Sequence, residues 1–103
     1  MRAMSEGRLA KLRILLVDDD PVARTVLETL LTRDGHALVV ADSGEEAVEL
    51  AADQPPDVVV TDLQMPGMSG IDLMRKLREQ DGSLPVIVVT GFTEVDPAIE
   101  AMR

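Results

Sequence analysis

Acidic side chains follow two apolar runs of the sequence, at the point where each run stops. Asp18 and Asp19 come directly after residues 14–17, and Asp62 follows one residue after the valines at 58–60. Clustered carboxylates raise one another's pKa unless a cation compensates their charge. A hard divalent ion such as Mg²⁺ prefers oxygen ligands and keeps several waters, so two carboxylates and a backbone carbonyl suffice to bind it. These acids therefore predict a magnesium site.

Asp62 also has the chemistry of a nucleophile. A carboxylate can attack a phosphoryl donor and form an aspartyl phosphate. A divalent cation beside it would offset the charge of the incoming phosphoryl group. Thr90 ends a third apolar run, and its hydroxyl could donate a hydrogen bond to the new phosphoryl oxygens. The sequence thus predicts Asp62 as a phosphoacceptor and Thr90 as its hydroxyl partner.

These side chains require strands that end at one edge of a sheet. Three consecutive valines without polar alternation are typical of a strand buried on both faces, as in parallel sheets. Ligands of such sheets bind at the carboxyl ends of the strands. The predicted strands are residues 14–17, 37–41, 58–62 and 85–90.

Helix-start signals separate the strands. Asp20-Pro21 offers an N-cap followed by proline at the first helical position, and Asp96-Pro97 repeats the pair. Ser43 and Glu46 have the spacing of a capping box, and Ser69 is a cap candidate. Strand and helix alternate four times, which predicts an α/β fold with a parallel sheet. Apolar residues at helical spacing predict a core-facing stripe on the first helix; they are Val22, Val26, Leu27, Leu30 and Leu31.

Composition limits the class of protein. The chain has 103 residues, a length that suits one domain, and its net charge of −9 argues against direct nucleic-acid binding. It has no cysteine and therefore no disulfide framework. Residues 1–12 carry scattered charges and no apolar core of a signal peptide, so we expect a flexible leader. No run reaches membrane-spanning length. We expect a cytoplasmic protein without membrane contact.

Three motifs make the sequence resemble the receiver domain of two-component response regulators. They are Leu-Val-Asp-Asp at 16–19, Val-Thr-Asp-Leu-Gln-Met-Pro-Gly-Met-Ser-Gly at 60–70, and Pro-Val-Ile-Val-Val-Thr-Gly at 85–91. The resemblance covers residues 13–103, which we expect to form the domain. It implies a doubly wound, flavodoxin-like parallel sheet in the order 2-1-3-4-5.

The resemblance also implies roles for individual residues. Asp62 would accept a phosphoryl group from a histidine kinase or phosphotransfer protein, and Thr90 would be the switch hydroxyl. Asp19 would be a direct Mg²⁺ ligand, Asp18 would act mainly through water, and Gln64 would contribute its backbone carbonyl. The protein would not be an enzyme, although it would assist its own phosphorylation and dephosphorylation.

One departure from the family pattern concerns the end of the sequence. The family's fifth strand begins with a Lys-Pro pair whose lysine binds the phosphoryl oxygens, and the chain stops before it. We therefore expect a domain that is incomplete at its C-terminus. Residues 86–89 would then form an apolar edge strand, which predicts a homo-oligomer through that edge.

Two alternatives follow from the same residues. Without the lysine, the chain could be an interaction module with impaired phosphorylation. A phosphohydrolase of the haloacid dehalogenase type would need a second aspartate two residues after the nucleophile, where this sequence has Gln64. The motifs do not name the kinase, the signal or an output domain.

Overall fold

Strands and helices alternate along residues 11–89, the part of the chain that the computed structural model describes. The strands are β1 (Arg13–Val17), β2 (Ala37–Ala41), β3 (Val58–Asp62) and β4 (Val86–Val89). The helices are α1 (Pro21–Arg33), α2 (Gly44–Asp53) and α3 (Gly70–Arg78). The predicted helix after Asp96 lies outside the described residues, as do Thr90 and most of the predicted leader.

The four strands form one parallel sheet in the order β2-β1-β3-β4. This order confirms the predicted flavodoxin-like arrangement. In the register between the two central strands, Val17 lies beside Thr61. On the other side of β3, Asp62 lies beside Val89. The carboxyl ends of β1, β3 and β4 therefore meet at one edge of the sheet.

Each helix begins with a side-chain cap directly after a strand or loop. Asp20 accepts a hydrogen bond from the N–H of Val22 at 3.0 Å, which confirms the predicted cap of α1. Ser43 Oγ accepts a hydrogen bond from Glu46 N, which confirms one half of the predicted capping box. The Glu46 carboxylate accepts from the N–H of Asp42, the residue before the cap, whereas a capping box would have it accept from the N–H of Ser43. These caps satisfy the first N–H groups of the helices and set the point where each helix leaves the sheet.

Different helices pack on the two faces of the sheet. One face packs against α2 and α3 around Leu15, Val59 and the fully buried Leu73. The other face packs against α1 around Ile14, Leu16 and Val60. Among residues 11–89, no helix has the length and apolar content needed to cross a membrane.

The apolar stripe predicted for α1 is only partly correct. Leu27 and Leu31 pack against the sheet, and Ala23 is the buried residue of the helix. By contrast, three predicted members of the stripe remain exposed; they are Val22 (70%), Val26 (47%) and Leu30 (48%). The contacting residues recur every four positions, which defines a narrower stripe than the sequence indicated.

Candidate functional site

Three carboxylates converge where β1 and β3 end. Asp18, Asp19 and Asp62 each place one carboxylate oxygen so that all three atoms lie within 4.8 Å of one another. The cause is the parallel pairing of β1 with β3, which brings the residues following Val17 next to the end of β3. Three oxygen donors at this separation, with an excess of negative charge, fit a hard divalent cation. The structure thus brings together three of the four residues predicted to hold a metal.

Asp18 is held firmly in this cluster. It is only 3% exposed, and its Oδ1 accepts a hydrogen bond from the N–H of Asp20 at 2.9 Å. Its backbone carbonyl accepts from Arg24 Nη1 at 2.9 Å, and its N–H donates to the carbonyl of Ala41 at 3.1 Å. Burial raises the pKa of Asp18, and the hydrogen bond from Asp20 partly opposes this rise. The negative charge of Asp62 raises it further.

Asp62 is half-buried at the end of β3, and its pKa is also raised. Loss of hydration is the main cause, because burial disfavours the charged carboxylate. The N–H groups of Leu63 and Gln64 lower the pKa, whereas the charges of Asp19 and Asp20 raise it. A cation bound between these acids would relieve both the burial cost and the repulsion.

Two further residues were predicted for the site, Gln64 and Thr90. Gln64 is exposed in the loop between β3 and α3, two residues beyond Asp62. Its predicted contribution is a backbone carbonyl, so its exposed side chain does not bear on that role. Thr90 lies outside the described residues.

Arg24 lies beside the carboxylate cluster, and no sequence motif indicated a role for it. Its guanidinium reaches back from the first turn of α1 to the carbonyl of Asp18, and so ties the helix to the end of β1. The sequence signal that could have indicated this contact is a basic residue in the first turn of a helix that follows an acidic strand end. Its partner is a backbone carbonyl, and no sequence pattern names that atom.

Comparison with known proteins gives a consistent family. A family model described as "Response regulator receiver domain" matches residues 14–103. The C4-dicarboxylate transport transcriptional regulatory protein DctD of Pseudomonas aeruginosa is 40% identical over 94 residues, covering 91% of this chain and 20% of the relative. The regulatory protein AtoC of Escherichia coli is 41% identical over 91 residues, covering 88% of this chain and 20% of the relative. This chain thus spans about a fifth of the length of these curated relatives.

Solved structures agree with this family. The Vibrio cholerae chemotaxis protein CheY4 superposes with a TM-score of 0.77 at 29% identity, covering 89% of this chain and 77% of that one. A chain of the CheX–CheY–BeF₃–Mg²⁺ complex from Borrelia burgdorferi gives a TM-score of 0.72 at 29% identity, covering 80% of this chain and 63% of that one. The described fold, the acidic cluster and the family match agree, and the chain belongs to the response regulator receiver domain family.

Proposed function

We propose that this domain accepts a phosphoryl group on Asp62 in a Mg²⁺-dependent reaction of two-component signalling. The donor would be a phosphohistidine of a histidine kinase or of a phosphotransfer protein. The observation that carries the proposal is the convergence of Asp18, Asp19 and Asp62 within 4.8 Å, in a chain of the receiver family. Receiver domains are phosphoacceptors rather than classical enzymes, so the proposed activity is confined to the domain's own aspartate.

In the proposed reaction a carboxylate oxygen of Asp62 attacks the phosphorus of the phosphohistidine. The new O–P bond forms as the N–P bond breaks, and the imidazole nitrogen keeps the electron pair of that bond. Burial and the neighbouring acids make the ionised carboxylate costly, which favours its reaction with an electrophile. Bound Mg²⁺ would offset the negative charge of the acids and of the phosphoryl oxygens.

The surroundings of the acids support distinct roles. Asp19 is exposed, which suits a direct ligand to an ion that enters from solvent. Asp18 already has one oxygen engaged by Asp20 N, so a water-mediated contact fits it better. Gln64 would contribute its carbonyl and Thr90 its hydroxyl, the latter as the switch that responds to the phosphoryl group.

The partners belong to the proposal as well. DctD is named a transcriptional regulatory protein and AtoC a regulatory protein, and each is about five times longer than the match, so the domain would control an output elsewhere in a longer protein. The net charge of −9 makes direct nucleic-acid contact by this segment unfavourable. A cytoplasmic location stays a prediction.

A self-contact through β4 is also proposed. Within residues 11–89, β4 pairs with β3 only, and Ile87 on this strand is 52% exposed. An apolar strand with one unpaired edge can pair with a second copy of the chain. Size exclusion with light scattering should then report an oligomer that Ile87→Lys weakens. A monomer at tens of micromolar would contradict this contact.

No specific observation favours the two alternative functions. A phosphohydrolase of the haloacid dehalogenase type lacks its acid at Gln64. The comparisons lend no support to an interaction module with impaired phosphorylation.

The proposal is tested by a Mg²⁺ titration followed by labelling with acetyl phosphate. Amide NMR signals of residues 18–20 and 62–65 should shift most with Mg²⁺, and intact mass should then report one added phosphoryl group. Asp62→Asn should abolish labelling, whereas Asp42→Asn, an exposed acid after β2, should not. Labelling that survives Asp62→Asn, or equal shifts in an Asp19→Asn/Asp62→Asn double variant, would contradict the proposal.

A further inference from the structure

The first residue of α3 packs directly on the backbone of the candidate phosphoacceptor. Gly70 is buried, and its N–H donates a hydrogen bond to the carbonyl of Leu63 at 2.9 Å. A Cβ atom on Gly70 would overlap the carbonyl oxygen of Asp62 and would lie 3.1 Å from that residue's carbonyl carbon. The neighbouring atoms belong to the backbone and cannot rotate away as a flexible side chain would. Any side chain at this position must therefore displace either α3 or the Asp62 peptide.

The Asp62 peptide is restrained on its other side by the sheet. The N–H of Leu63 donates to the carbonyl of Val89 at 2.8 Å, so the peptide that follows Asp62 is tied to β4. α3 is restrained as well, because its Leu73 is fully buried in the core. Neither side can yield without breaking a hydrogen bond or opening the core. The missing side chain at Gly70 thus sets the distance between α3 and Asp62.

A second glycine restrains the same loop from α2. Gly44 is the buried first residue of that helix, and a Cβ atom there would lie 2.9 Å from Met68 Cβ and 2.8 Å from Met68 Sδ. Met68 lies in the loop between β3 and α3, which also contains Gln64. The loop is therefore packed between the first residues of two helices, and each contact requires a residue without a side chain.

We propose that Gly70 and Gly44 are positioning residues that keep Asp62 and the Gln64 carbonyl in the geometry that Mg²⁺ requires. The inference rests on the proposed function, since it assumes that the metal binds at Asp62. Mg²⁺ demands nearly ideal octahedral coordination at short, narrowly defined distances. A loop displaced by a few tenths of an ångström no longer offers that geometry, while the fold as a whole can persist. Mutation of groups that contact and orient the metal ligands, without binding the metal themselves, typically weakens metal affinity by about 10- to 100-fold.

The test measures the affinity for Mg²⁺ alone in Gly70→Ala by amide NMR titration. We expect the affinity to fall by about 10-fold or more. Helix propensity favours alanine over glycine, so a loss here reflects the steric overlap and not the helix itself. Gly82→Ala is the matched control, because the nearest atom to a Cβ there is the Arg78 carbonyl oxygen at 3.9 Å. Its Mg²⁺ affinity should stay at the wild-type value.

A general loss of stability is distinguished by Leu77→Ala. Leu77 is buried near the end of α3 and away from Asp62, so this change should lower the free energy of unfolding without altering Mg²⁺ affinity in the folded protein. Gly44→Ala should weaken Mg²⁺ binding, and a Gly44→Ala/Met68→Gly double variant should recover it because the overlapping side chain is gone. If Gly70→Ala does not fold, recovery of Mg²⁺ affinity in this double variant still tests whether the glycine contacts position the metal site.

Two results overturn the inference. Wild-type affinity in both Gly70→Ala and Gly44→Ala would show that the contacts do not position the site. Equal weakening in Leu77→Ala would show that affinity follows stability alone. If the wild-type protein itself does not bind Mg²⁺, the proposed function fails first, and the titration of the unaltered chain reveals that separately.

Discussion

Removing the charge of Asp62 should stabilise the metal-free protein. Asp18, Asp19 and Asp62 lie within 4.8 Å of one another, and burial adds to the cost of ionising Asp62. Two unit charges at this distance repel by about 1 kcal/mol in a water-like medium and by a few kcal/mol at the effective dielectric of a protein surface. Because Asp19 is exposed and screened, we expect Asp62→Asn to raise the free energy of unfolding by about 1 kcal/mol at neutral pH.

The assay is urea unfolding of both proteins in EDTA at low salt. Asp42→Asn serves as the control, since Asp42 is exposed and outside the carboxylate cluster; it should leave stability nearly unchanged. An Asp62→Asn variant no more stable than the wild type, or a gain of equal size in the control, would refute the electrostatic reasoning.

The same reasoning predicts a pH dependence with a definite sign. The pKa values of Asp18 and Asp62 are raised above the ordinary value of 3.8, so the folded state binds more protons than the unfolded state just above that pH. Protonation of these two carboxylates therefore favours the folded state. This stabilisation is fully present below pH 3.8 and is lost as pH rises through the raised pKa values of the folded protein. The advantage of Asp62→Asn should be largest at neutral pH and should vanish as pH falls toward 3.8.

Magnesium should reverse the order of stability. A ligand that binds only the folded state stabilises it by about 2.7 kcal/mol at 100 times its Kd. The wild type should gain this stabilisation, whereas Asp62→Asn should gain much less, because it lacks one carboxylate of the site. Equal gains in the two proteins would place the ion elsewhere.

Two further predictions concern the scaffold. Gly35 follows α1 with a φ of 86°, so this position should tolerate asparagine better than alanine. Gly35→Ala should lower the free energy of unfolding by about 1 kcal/mol, measured by urea titration. Equal costs for asparagine and alanine would argue against the left-handed turn. Leu73→Ala should cost about 2–5 kcal/mol because the residue is fully buried, whereas Leu30→Ala, at a position 48% exposed, should cost well below that range; similar losses would contradict the observed orientation of α1.

The local elements could be predicted from the sequence because their signals act over a few residues. The caps at Asp20, Ser43 and Ser69 depend on a side-chain oxygen meeting an N–H group two or three residues later. The buried strands are marked by unbroken β-branched runs such as 58–60. The alternation of strand and helix signals then predicts a parallel sheet, and a parallel sheet predicts that the acids after the strands meet at one edge.

Other features depended on tertiary packing. The sequence did not indicate which apolar residues of α1 would contact the sheet, because a helix can rotate by a fraction of a turn without changing its pattern. It also did not reveal that His36 Nδ1 accepts a hydrogen bond from the N–H of Leu12 at 3.1 Å, across 24 residues of sequence.

The acidic cluster also combines a feature that the sequence predicts with a feature that depends on tertiary packing. The sequence by itself determined that carboxylates would stand at the ends of β1 and β3, since residue type and strand end are local properties. Only the folded chain decided that their oxygens lie within 4.8 Å of one another and that α3 approaches Asp62 closely enough to require Gly70. These distances depend on strand register and helix packing, which arise from contacts between residues far apart in the chain.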